Sequence, residues 1–135
     1  MSATPGLTKD AGWELGVRRT VPVPLDAVWD YLLGDGLALW LGAAELGTRK
    51  GDAYVTGHGV RGELRSRTER VRVRLTWRPP DWTHDSTLQI TVSPAATGTT
   101  IGIHQDRLAS ASERELMLAH WREVAERIAA ALSPG

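Results

Sequence analysis

The chain has 135 residues, 16 basic and 16 acidic side chains, six tryptophans, no phenylalanine and no cysteine. A single domain of this length buries roughly two-thirds of the surface its unfolded form exposes, and the lack of cysteine excludes disulfides and thiolate metal sites. Balanced charge offers no global attraction to nucleic acid or anionic lipid, and no run approaches the roughly 18 consecutive apolar residues of a spanning helix.

Residues 1–12, "MSATPGLTKDAG", are small, polar and turn-rich, and read as a mobile tail. They hold no positive stretch leading into an apolar run, so no signal peptide is expected and a cytoplasmic location follows. In "WELGVRRTVPV", Trp13, Leu15 and Val17 alternate with Glu14 and Arg18, which predicts a strand ended by Pro22 and Pro24. Pro24 suits the first turn of a helix. Val28, Trp29, Leu32 and Leu33 then recur at helical spacing against an Asp26/Asp30 face. Gly34-Asp35-Gly36 stops that helix, and "LALWLG" predicts a second, shorter one. Residues 24–43 thus carry two tryptophans and six leucines. A membrane-facing hairpin is disfavoured there by Asp26, Asp30 and Asp35 and by the absence of flanking Lys or Arg.

From about residue 47 the period changes to two. Val71, Val73, Leu75 and Trp77 share one face of a strand and Arg72, Arg74, Thr76 and Arg78 the other, as in an antiparallel sheet with one packed and one wet face. "RPPDW" predicts a turn; "STLQITV" places Leu88, Ile90 and Val92 inward. "SPAATGTT" is read as a hairpin connection and "TIGIHQDRL" as the last strand. The final segment contains two possible capping boxes, Ser110 with Glu113 and Ser112 with Glu115. Met117, Trp121, Val124, Ile128 and Leu132 then mark one face of a helix about 20 residues, or roughly 30 Å, long. The fold class is α+β: a curved antiparallel sheet of about six strands around a long C-terminal helix, with two short helices after the first strand. Residues 13–133 form one domain.

Five pieces in this order resemble the START/SRPBCC superfamily, the birch-pollen-allergen-like helix-grip fold, and within it the branch named after the activator of heat-shock protein 90 ATPase. They are "RTVPVPLDAVWDYLL", "LALWLG", "GELRSRTERVRVRLTW", "TGTTIGIHQDRL" and "HWREVAERI", spanning about residues 14–132. His120 stands where that branch usually has a glycine before the helix tryptophan. Its strand histidine is matched either by His104, one position early, or by Gln105. The resemblance implies a cavity between sheet and terminal helix that binds a small, largely apolar ligand.

The expected ligand-facing residues are Trp40, Tyr54, Trp77, Ile90, Ile103, Gln105, Met117 and Trp121, with His104 and His120 as further polar candidates. For any one tryptophan, core filling is the simpler role. Trp29 and Leu32 are expected to anchor the first short helix, and Leu39 and Trp40 to form the cavity rim. Alternation puts Ile101 and Ile103 inward and His104 outward unless a bulge near Gly102 reverses it. Gln105 then faces in. Seven arginines against two glutamates in residues 61–78 read as a wet outer surface paired with acids such as Glu63, because interleaved aromatics of a nucleic-acid site would share that face.

No catalytic residue, metal site or cofactor is assigned: the four histidines lack ligand spacing, and neither a phosphate loop nor a nucleophile elbow has its required context. The partner is a small hydrophobic molecule, with no nucleic acid and no membrane, and a homodimer is left open. Two other classes of function compete. A cyclase- or dehydratase-type enzyme requires His104, His120 or Glu45 to point inward. A stress or co-chaperone interaction module requires a filled interior and an exposed apolar patch.

Overall fold

Prolines and glycines partition the first third of the chain, and alternating strands fill most of the rest. A computed structural model describes residues 7–8 and 12–133; the other residues of the expected tail lie outside the described residues. The elements are β1 (Leu7–Thr8), β2 (Gly12–Val21), α1 (Leu25–Leu33), α2 (Leu37–Trp40), β3 (Ala53–Val55), β4 (Arg61–Thr68), β5 (Arg72–Trp77), β6 (Ser86–Ala95), β7 (Gly98–Leu108) and α3 (Ala111–Leu132). All pairings are antiparallel, in the order β1-β2-β7-β6-β5-β4-β3. The extra edge strand β1 pairs Leu7 with Trp13 and Thr8 with Gly12, inside the segment read as tail.

One face of the sheet carries Leu64, Val73, Leu75, Leu88, Ile90, Ile101 and Ile103, all buried. Against it lies α3, whose Trp121, Val124, Ala125, Ile128 and Ala129 are buried; this helix packs chiefly on β2 and β7. Each buried Val, Leu or Ile among these contributes about 1.5–3 kcal/mol by leaving water. The helix α1 buries Val28, Trp29 and Leu32 at the 3–4 spacing of its sequence, packing against β6 and β7, while α2 reaches α3. Among the described residues no helix is long and apolar enough to cross a membrane.

The hairpin joining β6 and β7 is tighter than "SPAATGTT" suggests, because both strands continue until Ala95 pairs with Gly98. Pro94 is tolerated inside β6. The amide of Val92 donates across to Val71, so the position of Pro94, two residues on, faces the same side, where β5 has already ended. Val71 lies in the β4–β5 turn and is exposed, whereas Val73, Leu75 and Trp77 are buried.

Of the two possible capping boxes, the first forms. Ser110 Oγ accepts from the Glu113 amide at 3.1 Å, and Glu113 Oε1 accepts from the Ala109 amide at 3.0 Å. Ser110→Ala is therefore expected to cost about 1 kcal/mol in urea unfolding, while Ser112→Ala at an exposed position stays within about 0.5 kcal/mol. Equal effects of the two variants would contradict this assignment.

Candidate functional site

Gln105 follows Ile103 on the inward parity of β7 and is fully buried, with 0 % exposure. An amide in that setting must be satisfied inside the protein. Its Oε1 accepts from Trp121 Nε1 on α3 at 2.7 Å, and its Nε2 donates to Ser86 Oγ on β6 at 3.0 Å. Ser86 Oγ in turn donates to the Trp77 carbonyl of β5 at 2.6 Å. This chain of hydrogen bonds crosses the seam between sheet and helix in the zone expected to hold a ligand. Trp77 packs edge-on against Trp121, with centroids 5.6 Å apart, and against Trp82, at 5.4 Å. Trp77 Nε1 is buried with no acceptor among the described residues.

The expected hollow is filled at this point. Trp121 and Gln105 have no exposed surface, and Ile90 and Ile103 next to them have almost none, so no water-sized sphere touches the first two. The structure brings Trp77, Gln105 and Trp121 into one cluster. Met117 is half-buried against the same core. Trp40 is buried, and its indole donates to the Leu32 carbonyl at 2.8 Å, tying α2 to the end of α1; Leu39 beside it is half-buried. Tyr54 donates its hydroxyl to the Thr76 carbonyl at 2.5 Å. Burial, and secondarily the charge of Asp85, push its phenol well above the usual range. Tyr54 also lines an open groove of about 610 Å³ with Gly62, Thr76 and Arg78.

His104 lies on the outer face, as alternation requires, with Nε2 3.4 Å from Glu14 Oε2. No bulge intervenes at Gly102: β2 and β7 stay in register from Leu15–Gln105 to Val21–Thr99. His120 is exposed at its outer side and leans on the edge of Trp121, with centroids 4.6 Å apart. Partial burial, with the nearby Arg127 charge, lowers its pKa against the opposing pull of Glu123. Glu45 is exposed. None of the three ionisable groups that an enzyme reading requires reaches the seam. The large exposed hydrophobics Val55, Val71 and Leu116 sit apart in the chain, on β3, in the β4–β5 turn and on α3.

Sequence reasoning missed two parts of the site. Ser86, at the very start of β6, shares the inward parity of Leu88, Ile90 and Val92, so alternation was the signal that could have found it. The second part is a cover over the Trp77 edge. In the β5–β6 loop, Trp82 stacks on His84 at 4.7 Å, and Trp82 O accepts from Arg78 Nε at 3.1 Å. His84 Nε2 lies 2.9 Å from Glu113 Oε1 on α3 but is not aligned as a hydrogen bond. Only the fold brings these residues together.

The family model described as "Activator of Hsp90 ATPase homolog 1-like protein" matches residues 22–133. Among solved structures, CalU16 from Micromonospora echinospora aligns with a TM-score of 0.79 at 18 % identity, over 94 % of this chain and 82 % of that one. DynU16, a protein of the dynemicin biosynthetic locus, aligns with a TM-score of 0.78 at 22 % identity over 88 % of this chain. The match spans only 46 % of DynU16, about half its length. Protein CV1439 from Chromobacterium violaceum gives 0.72 at 22 % identity, over 90 % and 98 % of the two chains. At such identities these structures are evidence for the fold. No curated protein matches the chain.

Because Gln105 satisfies the Trp121 indole, Gln105→Leu leaves that buried N–H without an acceptor. The expected cost is about 1–3 kcal/mol in equilibrium unfolding. A variant as stable as the parent would show that the hydrogen bond is not part of what fixes α3.

Proposed function

Since the chain belongs to the family of proteins like the activator of Hsp90 ATPase homolog 1, in a superfamily that commonly binds hydrophobic ligands, we propose that it binds a small, largely apolar molecule between its sheet and α3. The observation that carries this reading is the Trp77 indole. A buried N–H without an acceptor is costly, and a carbonyl or ether oxygen on a guest molecule would relieve that cost. Trp121 and Trp82, both packed edge-on against Trp77, supply apolar contact, as small-molecule sites do around a few polar anchors.

With the seam filled, the guest gains entry by displacing the Trp82–His84 cover. That loop is held to α3 by the His84–Glu113 contact and rests on the edge of Trp77. It is the part of the wall whose movement leaves β5, β6 and β7 paired. A cytoplasmic setting is part of the same proposal.

The test uses flavone, a neutral aromatic ketone, titrated into the protein while the tryptophan indole N–H signals are followed by NMR. Saturable shifts of the Trp77 and Trp121 signals are expected, with affinity weakened about five- to tenfold in Trp77→Phe, which removes one hydrogen-bond donor. Shifts confined to indoles other than Trp77 and Trp121, or affinity unchanged in Trp77→Phe, would contradict the proposal.

A further inference from the structure

The outer face of the sheet holds a second cavity, of about 450 Å³, whose wall includes Lys50, Arg65, Arg74, Arg107, Asp85 and Thr87. Regular strands would bring Arg65 and Arg74 to this face but not Arg107. Arg65 and Arg74 face outward by ordinary alternation, Arg65 next to the buried Leu64 and Arg74 between the buried Val73 and Leu75, whereas Arg107 arrives through a β-bulge. In β4 the pairing jumps from Leu64–Leu75 to Ser66–Arg74, so the bulge turns Ser66 to the outer side beside Arg65. In β7 the pairing with β2 jumps from Leu15–Gln105 to Trp13–Leu108. Arg107, which regular parity would bury beside Gln105, is exposed instead.

Arg107 adopts φ 60° to do this, a left-handed conformation that residues with a Cβ rarely accept. Arg70 shares that sign of φ, but in a turn, and its guanidinium is paired with Asp26 at 2.8 Å. Arg107 lies within a strand, and among the described residues it has no ion-pair partner. Bulges of this kind commonly re-aim a side chain toward a site.

Lys50 is delivered by a third fixed element. Asp52 Oδ2 accepts from the amides of Thr48 and Arg49 at 3.1 and 2.9 Å, and the Gly51 amide donates to the Leu64 carbonyl at 2.7 Å. The Lys50 turn is thereby pinned to β4. Partial neutralisation comes from Glu63, 2.7 Å from Arg65, and from Asp106, 3.9 Å from Arg74. Among the described residues Lys50, like Arg107, has no ion-pair partner. Two free cations on opposite sides of one concavity, with two more between them, match a ligand charged at both ends.

We propose that this outer cavity is a binding site for a small molecule carrying two or more anionic groups, separate from the seam behind Trp77. The probes are inorganic pyrophosphate and citrate, each titrated calorimetrically at ionic strength held constant with sodium chloride. Saturable one-to-one binding of at least one is expected: pyrophosphate alone identifies a phosphoanhydride-type ligand, citrate alone a polycarboxylate, and both a site that reads charge. Arg107→Gly suits the left-handed backbone and removes the cation, so it is expected to weaken binding about tenfold or more with an unchanged or raised Tm. Lys50→Gln, on the opposite wall, is expected to weaken it by a similar factor. Binding of neither probe, or affinity within about twofold of the parent in both variants, would overturn the proposal.

Discussion

The hydrogen-bond chain Trp121–Gln105–Ser86–Trp77 joins the helix to three adjacent strands, and much else in the molecule is arranged around it. Apolar packing selects which stripe of α3 faces the sheet, with Val124, Ala125, Ile128 and Ala129 buried, but it is less exacting about small shifts along the helix axis. A buried amide does not allow such shifts. Shifting α3 by one position would separate the Trp121 indole from Gln105 Oε1, 2.7 Å away, leaving donor and acceptor stranded in a medium where each is expensive. One polar contact therefore sets the helix register that the surrounding hydrophobic area stabilises.

The same strand serves both faces of the sheet. Gln105 points inward to the seam, and two residues later the bulge turns Arg107 outward, onto the wall of the cationic cavity. Ser86 and Asp85 are divided in the same way. The serine hydroxyl completes the interior chain, and the neighbouring carboxylate lies 3.8 Å from Arg78 while lining the outer cavity. The inner seam and outer concavity share β5, β6 and β7 as a common wall. That wall is rigid where it pairs and irregular where it bulges, and the outer cavity gathers at the irregularities.

Much of the architecture was legible in the amino-acid order. Period two over Val73–Trp77 and Leu88–Val92, the stripe of Val28, Trp29 and Leu32, and the Ser110–Glu113 box each depend on near neighbours, so local pattern suffices. The outward His104 and inward Gln105 followed from alternation counted from Ile101. The remainder depends on long-range fit. Neither bulge carries a local mark: Ser66 and Arg107 look like ordinary strand residues, and no glycine or asparagine announces the left-handed turn at 107. The bond from the Trp40 indole to the Leu32 carbonyl had no local signal, because that partner exists only once α1 ends where it does. Whether a hollow persists beneath the helix is decided by ångström-scale side-chain packing, to which binary pattern is blind.

A filled interior and a ligand-binding role are compatible only if the layer over Trp77 separates while the sheet stays intact. Hydrogen exchange of the indole N–H protons, read residue by residue under native conditions, addresses this directly. Trp121, locked to Gln105, should exchange only through global unfolding. Trp77, beneath the loop carrying Trp82 and His84, should exchange through a smaller opening with a distinctly lower free energy and little dependence on denaturant. If both protons exchange with the free energy and denaturant sensitivity of complete unfolding, the seam does not open in the native state, and a guest has no way in.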